Sequence, residues 1–164
     1  LRSCGSINRE LCQFPELKFD IDPIHAAHIN ENFNVYNKLK KKRLDIAKRY
    51  FKNLSTNFDS LPKIEHEYNH TFYDFTVLIN QRNKIIKYLY NKGIEVKVRH
   101  PILINNQPIF KNLKKNKLEK AEYFVERILS LPMHYNLKED EIDYVCENLI
   151  KAKKILFLNF KFIF

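Results

Sequence analysis

Residues 68–110, YNHTFYDFTVLINQRNKIIKYLYNKGIEVKVRHPILINNQPIF, decide how the chain folds. Apolar side chains occupy every second position of their first part: Tyr73, Phe75, Val77 and Ile79. This period of two predicts a strand with one covered face, which leaves Phe72, Asp74 and Thr76 on the other face. Asn80 is a candidate cap for a helix whose apolar stripe comprises Ile85, Ile86, Leu89 and Tyr90. Gly93 supplies the left-handed residue that ends this helix.

A second strand is predicted directly after Gly93. Ile94, Val96 and Val98 alternate there with Glu95, Lys97 and Arg99. The chain then enters His100-Pro101 and an irregular loop. Two strands joined through a helix form a small α+β layer, and the loop after the second strand is a place where such a layer can carry a site.

A long helix is predicted ahead of this unit. Asp22 followed by Pro23 is a helix start, because the carboxylate caps the helix and proline lacks only an N–H that would have no partner there. Apolar residues then recur at spacings of three and four as far as Leu54, with the helix ending near Ser55. The basic run KLKKKR, residues 38–43, lies on this helix, where a solvated face is its simplest role.

Two further helices are predicted after the loop. Residues 118–130 form an amphipathic helix that ends before Pro132, and residues 131–134 form an extended segment. Asn136 with Glu139 three residues later forms a capping box for the last helix. The apolar tail 155–164 alternates, so it is either an added strand or a segment that needs a partner to cover it.

Size and cysteine usage fit one ordinary domain in a reducing compartment. The chain has 164 residues, of which 45% are hydrophobic, enough to fill one core. Its three cysteines, Cys4, Cys12 and Cys146, have neither zinc-ligand spacing nor the pattern of a disulfide framework, so a cytoplasmic location is expected. No apolar N-terminal segment suggests a secretory signal, and the apolar tail is too short to span a bilayer.

The net charge of +10 raises the question of nucleic-acid binding. Lysine greatly outnumbers arginine, although arginine is the residue best shaped for phosphate and base-edge contacts. No nucleic-acid-binding motif accompanies the charge, so nucleic acid is not an expected partner. A non-catalytic basic module that binds RNA or an acidic partner through the 38–54 helix is kept as the alternative function.

Residue chemistry alone does not demonstrate an autonomous active site. His25 and His28 are three apart and His66 and His70 are four apart, but no cysteine or well-spaced carboxylate completes a metal site. Two glycines in the whole chain exclude a Gly-rich phosphate loop. No serine or cysteine lies in a nucleophile motif.

The order of these signals resembles the C-terminal part of the DegT/DnrJ/StrS-type aminotransferases, fold-type I pyridoxal-phosphate enzymes that aminate keto-sugars carried on nucleotides. The most specific piece is LSLPMH, within AEYFVERILSLPMHYNLKEDEIDYVCENLI at 121–150. The other matching pieces are FDIDPIHAAHI at 19–29, KKRLDIAKRY at 41–50, residues 72–102 and QPIF at 107–110.

The resemblance implies an α/β fold in which a long connecting helix leads to a small antiparallel sheet flanked by helices. Residues 1–22 would be a remnant of the large cofactor-binding domain and residues 23–55 the connecting helix. Residues 56–154 would be the small C-terminal α/β domain, followed by the apolar tail 155–164. The lysine that forms the Schiff base would lie upstream of Leu1, so no catalytic residue is expected in this chain.

The resemblance also implies two places that approach the active site. Lys18 and Asp20 fall where the family reaches the cofactor phosphate of the neighbouring subunit. Lys18 suits a phosphate as a point charge, whereas Asp20 repels it unless paired. His100 and Asn105 fall in the loop that the family turns toward the substrate. An equally good explanation of His100 is a histidine at the end of a strand whose ring is hydrogen-bonded to the backbone.

The full enzyme would use pyridoxal 5'-phosphate, an amino donor such as glutamate and a nucleotide-linked keto-sugar. It would be a homodimer in the cytoplasm, without a membrane or nucleic-acid partner. Because the Schiff-base lysine is not in this part, the isolated chain is predicted to be inactive.

Overall fold

A computed structural model describes residues 21–58, 61, 62, 70–108, 112 and 117–161, with side chains as far as residue 156. The chain divides into two compact units, Leu1–Leu39 and Lys40–Phe164. The elements are helix α1, Pro23–Leu54; strand β1, Phe75–Leu78; helix α2, Arg82–Tyr90; a 3-10 turn, Ile104–Asn106; helix α3, Glu119–Arg127; strand β2, Ile128–Leu131; and helix α4, Glu139–Lys161. The domain boundaries implied by the resemblance stay a prediction.

Helix α1 begins where the sequence predicts. The Ile24 N–H donates to Asp22 Oδ1 at 2.8 Å, so Asp22 is the N-terminal cap. The helix ends at Leu54, one residue before the predicted end. In the second unit its buried residues follow the helical period and form one wall of the core: Ile46, Ala47, Tyr50 and Leu54.

The sheet is antiparallel and small, as predicted. β1 pairs with β2 from Phe75 opposite Leu131 to Leu78 opposite Ile128. On the other side of β2, Lys97 and Ser130 exchange two backbone hydrogen bonds of 3.0 and 2.8 Å. The second strand predicted after Gly93 is therefore reduced to a single bridge at Lys97. Buried side chains of the sheet, α1, α2 and α4 form one core.

The helix predicted over residues 118–130 is wrong at its C-terminal end. α3 stops at Arg127, and the next four residues form β2. Leu129 and Leu131 are 0% and 3% exposed, so the strand buries them in the core under the helices. Arg82 Nη1 donates to the carbonyl oxygens of Val125 and Ile128. In a continuing helix the Val125 oxygen would instead have accepted from the Leu129 N–H.

The predicted caps of the two later helices are also wrong. α2 starts after Gln81, whose φ is 54°, and Asn80 Oδ1 instead accepts from Arg127 Nε at 3.1 Å. At α4 the Lys138 N–H donates to Glu141 Oε2 at 2.8 Å. The backbone bond of a capping box is therefore made between Lys138 and Glu141, not between Asn136 and Glu139. The predicted stop at Gly93 is confirmed, with φ of 72° and a 2.9 Å bond from the Ile94 N–H to the Leu89 oxygen.

The C-terminal tail is helical rather than extended. α4 runs without interruption to Lys161, since residues 139–161 contain neither glycine nor proline. The alternative of an added strand over 155–164 is therefore wrong as far as residue 161. Residues 162–164 lie outside the described residues. The face of α4 toward the core carries Ile142, Val145 and Leu149, which are all buried.

Just before β1, two residues have the opposite exposure to the one predicted. Phe72 is 2% exposed and Tyr73 is 62% exposed, although the alternation placed Tyr73 on the covered face. Phe72 has a left-handed φ of 46°, and its N–H donates to His70 Nδ1 at 2.9 Å. A left-handed residue breaks the period of two, so the side chains before β1 turn to the opposite faces.

Candidate functional site

The loop that carries the predicted substrate residues directly follows the Lys97 bridge. His100 is exposed, and Asn105 is half-buried within the turn Ile104–Asn106. Asn105 Oδ1 is buried and has no hydrogen-bond partner among the described residues. A buried acceptor without a partner is costly, and this oxygen is covered by protein atoms rather than open at the surface of the loop.

An arginine–carboxylate pair lies at the base of this loop. Arg99 Nε is 2.9 Å from Asp74 Oδ2, and Arg99 Nη2 donates to Asp74 Oδ1 at 3.0 Å. This is the fork geometry that suits a guanidinium and a carboxylate. The hydrogen bond and the charge of Asp74 raise the pKa of Arg99 above its ordinary value. The pair therefore joins the start of the loop to the residue next to β1.

Tyr73 is the aromatic surface between two arginines. The Arg99 guanidinium carbon lies 5.0 Å from the Tyr73 ring centroid, and that of Arg43 lies 5.7 Å from it. Both distances fall within the range of a cation–π interaction. The reversal at Phe72 is what makes this possible, because it exposes Tyr73 rather than burying it.

These residues line one side of a pocket of about 870 Å³ in the second unit. Ile94, Met133 and Val145 supply apolar lining, and His134 and Tyr144 supply polar groups. Concave space with an apolar lining and a few convergent polar groups is typical of a small-molecule site. His100 and Asn105 do not line this pocket. Arg99, which directly precedes the loop, does line it, so the loop adjoins the pocket without forming part of its wall.

A second charged cluster fixes α4 against α1. Arg49 Nε donates to Asp143 Oδ1 at 2.8 Å and Arg49 Nη2 to Asp143 Oδ2 at 2.6 Å, while Arg49 Nη1 contacts Glu139. Asn53 Nδ2 adds a 2.6 Å bond to Asp143. The bond from Arg49 holds the pKa of the Asp143 carboxyl below its ordinary value. Burial raises the pKa of the nearby Cys146 thiol to about 12, so Cys146 is not a nucleophile at neutral pH.

We expect Asp143→Asn to lower the melting temperature by a few degrees at pH 6, because it removes a paired carboxylate. The folded-state pKa of Asp143 lies below the unfolded value, so its contribution is present above about pH 4 and is lost as the pH falls through the folded-state pKa. Thermal melts between pH 2 and pH 7 test this. Asp45→Asn is the control, since Asp45 is 59% exposed and lies 4.0 Å from Lys48. A loss of melting temperature of the same size at every pH would contradict the assignment of this stabilisation to the ionised Asp143 carboxylate.

The structure does not describe the two predicted cofactor residues or one of the histidines considered as metal ligands. Lys18, Asp20 and His66 lie outside the described residues. Among the residues that the structure describes, no group of three or more histidine, cysteine, aspartate or glutamate side chains could hold a metal ion. Asn32 Nδ2 is 2.9 Å from His28 Nε2, so His28 has a neighbour on its own helix.

The described residues do not fit a pyridoxal phosphate site by themselves. A lysine that forms a Schiff base is usually desolvated in an apolar pocket or placed beside another cation. Lys97, on the lining of the pocket, is 61% exposed and lies 3.4 Å from Glu95. No reaction step is therefore assigned to a lysine of this part of the chain.

Sequence reasoning missed the set Arg43, Tyr73, Asp74 and Arg99. Asp74 and Arg99 both stand at outward positions of the two predicted strands. In the structure β2 lies between the segments that carry these two residues, so the strand pattern alone did not indicate that they form an ion pair. No sequence signal placed Tyr73 between the arginines.

Comparison with solved structures identifies the fold. A DegT DnrJ EryC1 StrS aminotransferase from Brucella abortus superposes with a TM-score of 0.80 at 20% identity. The match covers 92% of this chain and 41% of that one. DesV from S. venezuelae gives the same TM-score, over 93% of this chain and 42% of that one. The fold is therefore that of one part of an aminotransferase of this kind.

Sequence comparison then gives the family. The profile of the DegT/DnrJ/EryC1/StrS aminotransferase family matches residues 1–150, and the chain belongs to this family. The chain is 34% identical over 82 residues to UDP-N-acetyl-3-dehydro-alpha-D-glucosamine 3-aminotransferase of Acidithiobacillus ferrooxidans, covering 50% of this chain and 22% of that protein. It is 29% identical over 134 residues to a pleiotropic regulatory protein of Geobacillus stearothermophilus, covering 79% of this chain and 36% of that protein.

These findings confirm the resemblance and the fold class, and the chain spans less than half the length of the relatives that it matches. Pyridoxal phosphate is the cofactor of this family, and a sugar aminotransferase of Streptococcus pneumoniae has been solved in its PLP form. Among the helices that the structure describes, none is both long and apolar enough to cross a membrane.

Proposed function

We propose that this chain is the C-terminal portion of a pyridoxal-phosphate-dependent aminotransferase that transfers an amino group from a donor such as glutamate to a nucleotide-linked keto-sugar. The match of the family profile over residues 1–150 carries this proposal. The fold adds support, because the small sheet ends in a loop that holds His100 and Asn105. When bound, the cofactor supplies the amino-transfer chemistry, and the protein supplies orientation and charge.

The proposed roles follow from the chemistry of the side chains. The exposed His100 ring donates a hydrogen bond or exchanges a proton near the sugar, and the Asn105 amide adds a polar contact without a titratable group. Lys18 and Asp20 belong to the contact with the cofactor phosphate of a neighbouring subunit. The working enzyme is a cytoplasmic homodimer, and the 164-residue chain alone does not transaminate.

A chimaera tests the proposal. The N-terminal part of the Acidithiobacillus ferrooxidans relative is fused to this chain in place of its own C-terminal part, and transamination of that relative's keto-sugar is measured. We expect activity from the chimaera and none from the chain alone. His100→Ala and Asn105→Ala should each lower kcat/KM of the chimaera about tenfold, the size of one lost hydrogen bond to substrate.

Two results would overturn the proposal. One is a folded, dimeric chimaera that binds pyridoxal phosphate and has no activity. The other is covalent attachment of the cofactor to a lysine of the isolated chain after borohydride reduction, mapped by mass spectrometry. An active chimaera that tolerates both substitutions would contradict the roles of His100 and Asn105.

The alternative of a basic module stays a prediction. Lys41 and Lys42 are exposed on α1, but Arg43 is half-buried and contacts the Tyr73 ring, so part of the basic run serves the fold. Salt-sensitive binding of the chain to RNA, lost when Lys41 and Lys42 become glutamine, would favour this alternative.

A further inference from the structure

The loop over residues 100–108 has few anchors of its own. Within the described residues its hydrogen bonds are both internal: Asn106 N–H to the Leu103 oxygen at 2.9 Å, and Gln107 N–H to the Ile104 oxygen at 3.1 Å. Ile102 and Ile104 are 51% and 77% exposed, so these two apolar side chains add little packing. Among the described residues, the contacts that tie the loop to the rest of the second unit by hydrogen bonds or ion pairs lie where it leaves the sheet, at Lys97 and Arg99.

That point is held by the ion pair described above. Lys97 makes the last backbone bridge to β2, and Arg99 follows two residues later. Asp74 stands next to Phe75, which is 0% exposed in β1, so the carboxylate is attached to a rigid element. A two-pronged contact constrains both the distance and the orientation of the guanidinium, which a single contact to lysine would not.

Tyr73 adds a second constraint on the same guanidinium. The Arg99 guanidinium carbon is 5.0 Å from the ring centroid, and the Arg99 and Asp74 side chains are 40% and 23% exposed. The plane of Arg99 is thus held by a carboxylate and by an aromatic surface. Both partners belong to the residues that lead into β1.

We infer that Arg99 and Asp74 are positioning residues that fix the direction in which the chain leaves the sheet, and so aim His100 and Asn105 toward the substrate. The role of the aimed loop rests on the proposed function. The ordering of the loop by the pair does not, since it is a property of the free chain.

NMR of the 15N-labelled 164-residue chain tests the ordering. Arg99→Gln and Asp74→Asn should lower the heteronuclear NOE values of residues 100–107 and speed amide exchange at Asn106 and Gln107 roughly two- to fivefold, as expected for a partly exposed pair. The values in β2 and the melting temperature should change little. Lys97→Gln is the matched control, because it breaks the exposed Lys97–Glu95 pair in the same segment.

A charge exchange separates positioning from a general loss of structure. The double variant Asp74→Arg with Arg99→Asp restores an ion pair and should recover most of the loop order, whereas Arg99→Lys should recover less because it lacks the fork. The inference is overturned if Arg99→Gln leaves the loop unchanged, if Lys97→Gln has the same effect, or if β2 loses order together with the loop.

The chimaera then supplies the functional readout. Arg99→Gln should lower kcat with KM changed less, and the charge exchange should restore part of kcat. If Arg99→Gln disorders the loop but the chimaera is inactive, the result counts against the proposed function and not against the inference. An active chimaera in which Arg99→Gln changes neither loop order nor kcat would overturn the inference alone.

Discussion

Leu149→Ala is expected to lower the free energy of unfolding by about 2–5 kcal/mol, the range for removing a large aliphatic side chain from a packed core. Leu149 lies on the buried face of α4 and is 0% exposed. The substitution removes apolar contacts and leaves a cavity that the surrounding helices and sheet fill only in part. Urea unfolding followed by circular dichroism measures the loss.

The matched control lies on the same helix. Ile155 is 45% exposed, so Ile155→Ala removes a similar side chain from a half-solvated position and should cost less than about 1 kcal/mol. Equal losses for the two variants would mean that the face of α4 carrying Leu149 is not the one packed in the core.

Tyr50→Ala is expected to cost about 3–5 kcal/mol, the range for removing a large aromatic side chain from a core. Tyr50 is 0% exposed, and its ring centroid lies 5.0 Å from that of Phe75. Its hydroxyl also donates to the Pro132 carbonyl oxygen at 2.9 Å, which ties α1 to the segment after β2. Burial raises the pKa of Tyr50, so the neutral phenol is the donor.

Tyr50→Phe separates the two contributions. It keeps the ring and removes only the hydroxyl, so a loss of about 1 kcal/mol is expected, with the Pro132 oxygen left without this donor. Chemical denaturation of both variants gives the two values. If Tyr50→Phe were as damaging as Tyr50→Ala, the hydrogen bond rather than the ring packing would dominate this contact.

The sequence predicted best where one local interaction decides the structure. Asp22-Pro23 starts α1 because the cap and the fixed proline φ act within one turn. Gly93 ends α2 because a left-handed residue is needed there and glycine adopts it without strain. These signals depend on neighbours along the chain, so they survive without knowledge of the tertiary structure.

The misses have tertiary causes. Residues 128–131 continue the helical period of α3, yet they pair with β1, which lies far away in the sequence. There, backbone pairing across the fold outweighed the local pattern. Around Lys97 the local alternation predicted a strand, but the described residues form one bridge to β2.

The site was predictable only in part. His100 and Asn105 come from the resemblance, and their role stays a prediction. The Arg99–Asp74 pair was not predicted, because β2 lies between the two segments that carry it. The exposure of Tyr73 depends on the left-handed Phe72, a bulky residue that rarely adopts this conformation. No residue preference in the sequence would have predicted it.

The pairing of β1 with β2 has a consequence for how the protein is made. A nascent chain that has reached the Lys97 segment already contains β1 and α2, but both must wait for Ile128–Leu131 before the sheet can close. Loop closure over so many residues is slow compared with helix formation. Until those residues have been made, β1 has no β2 to pair with, and a product that stops before residue 128 cannot complete the sheet.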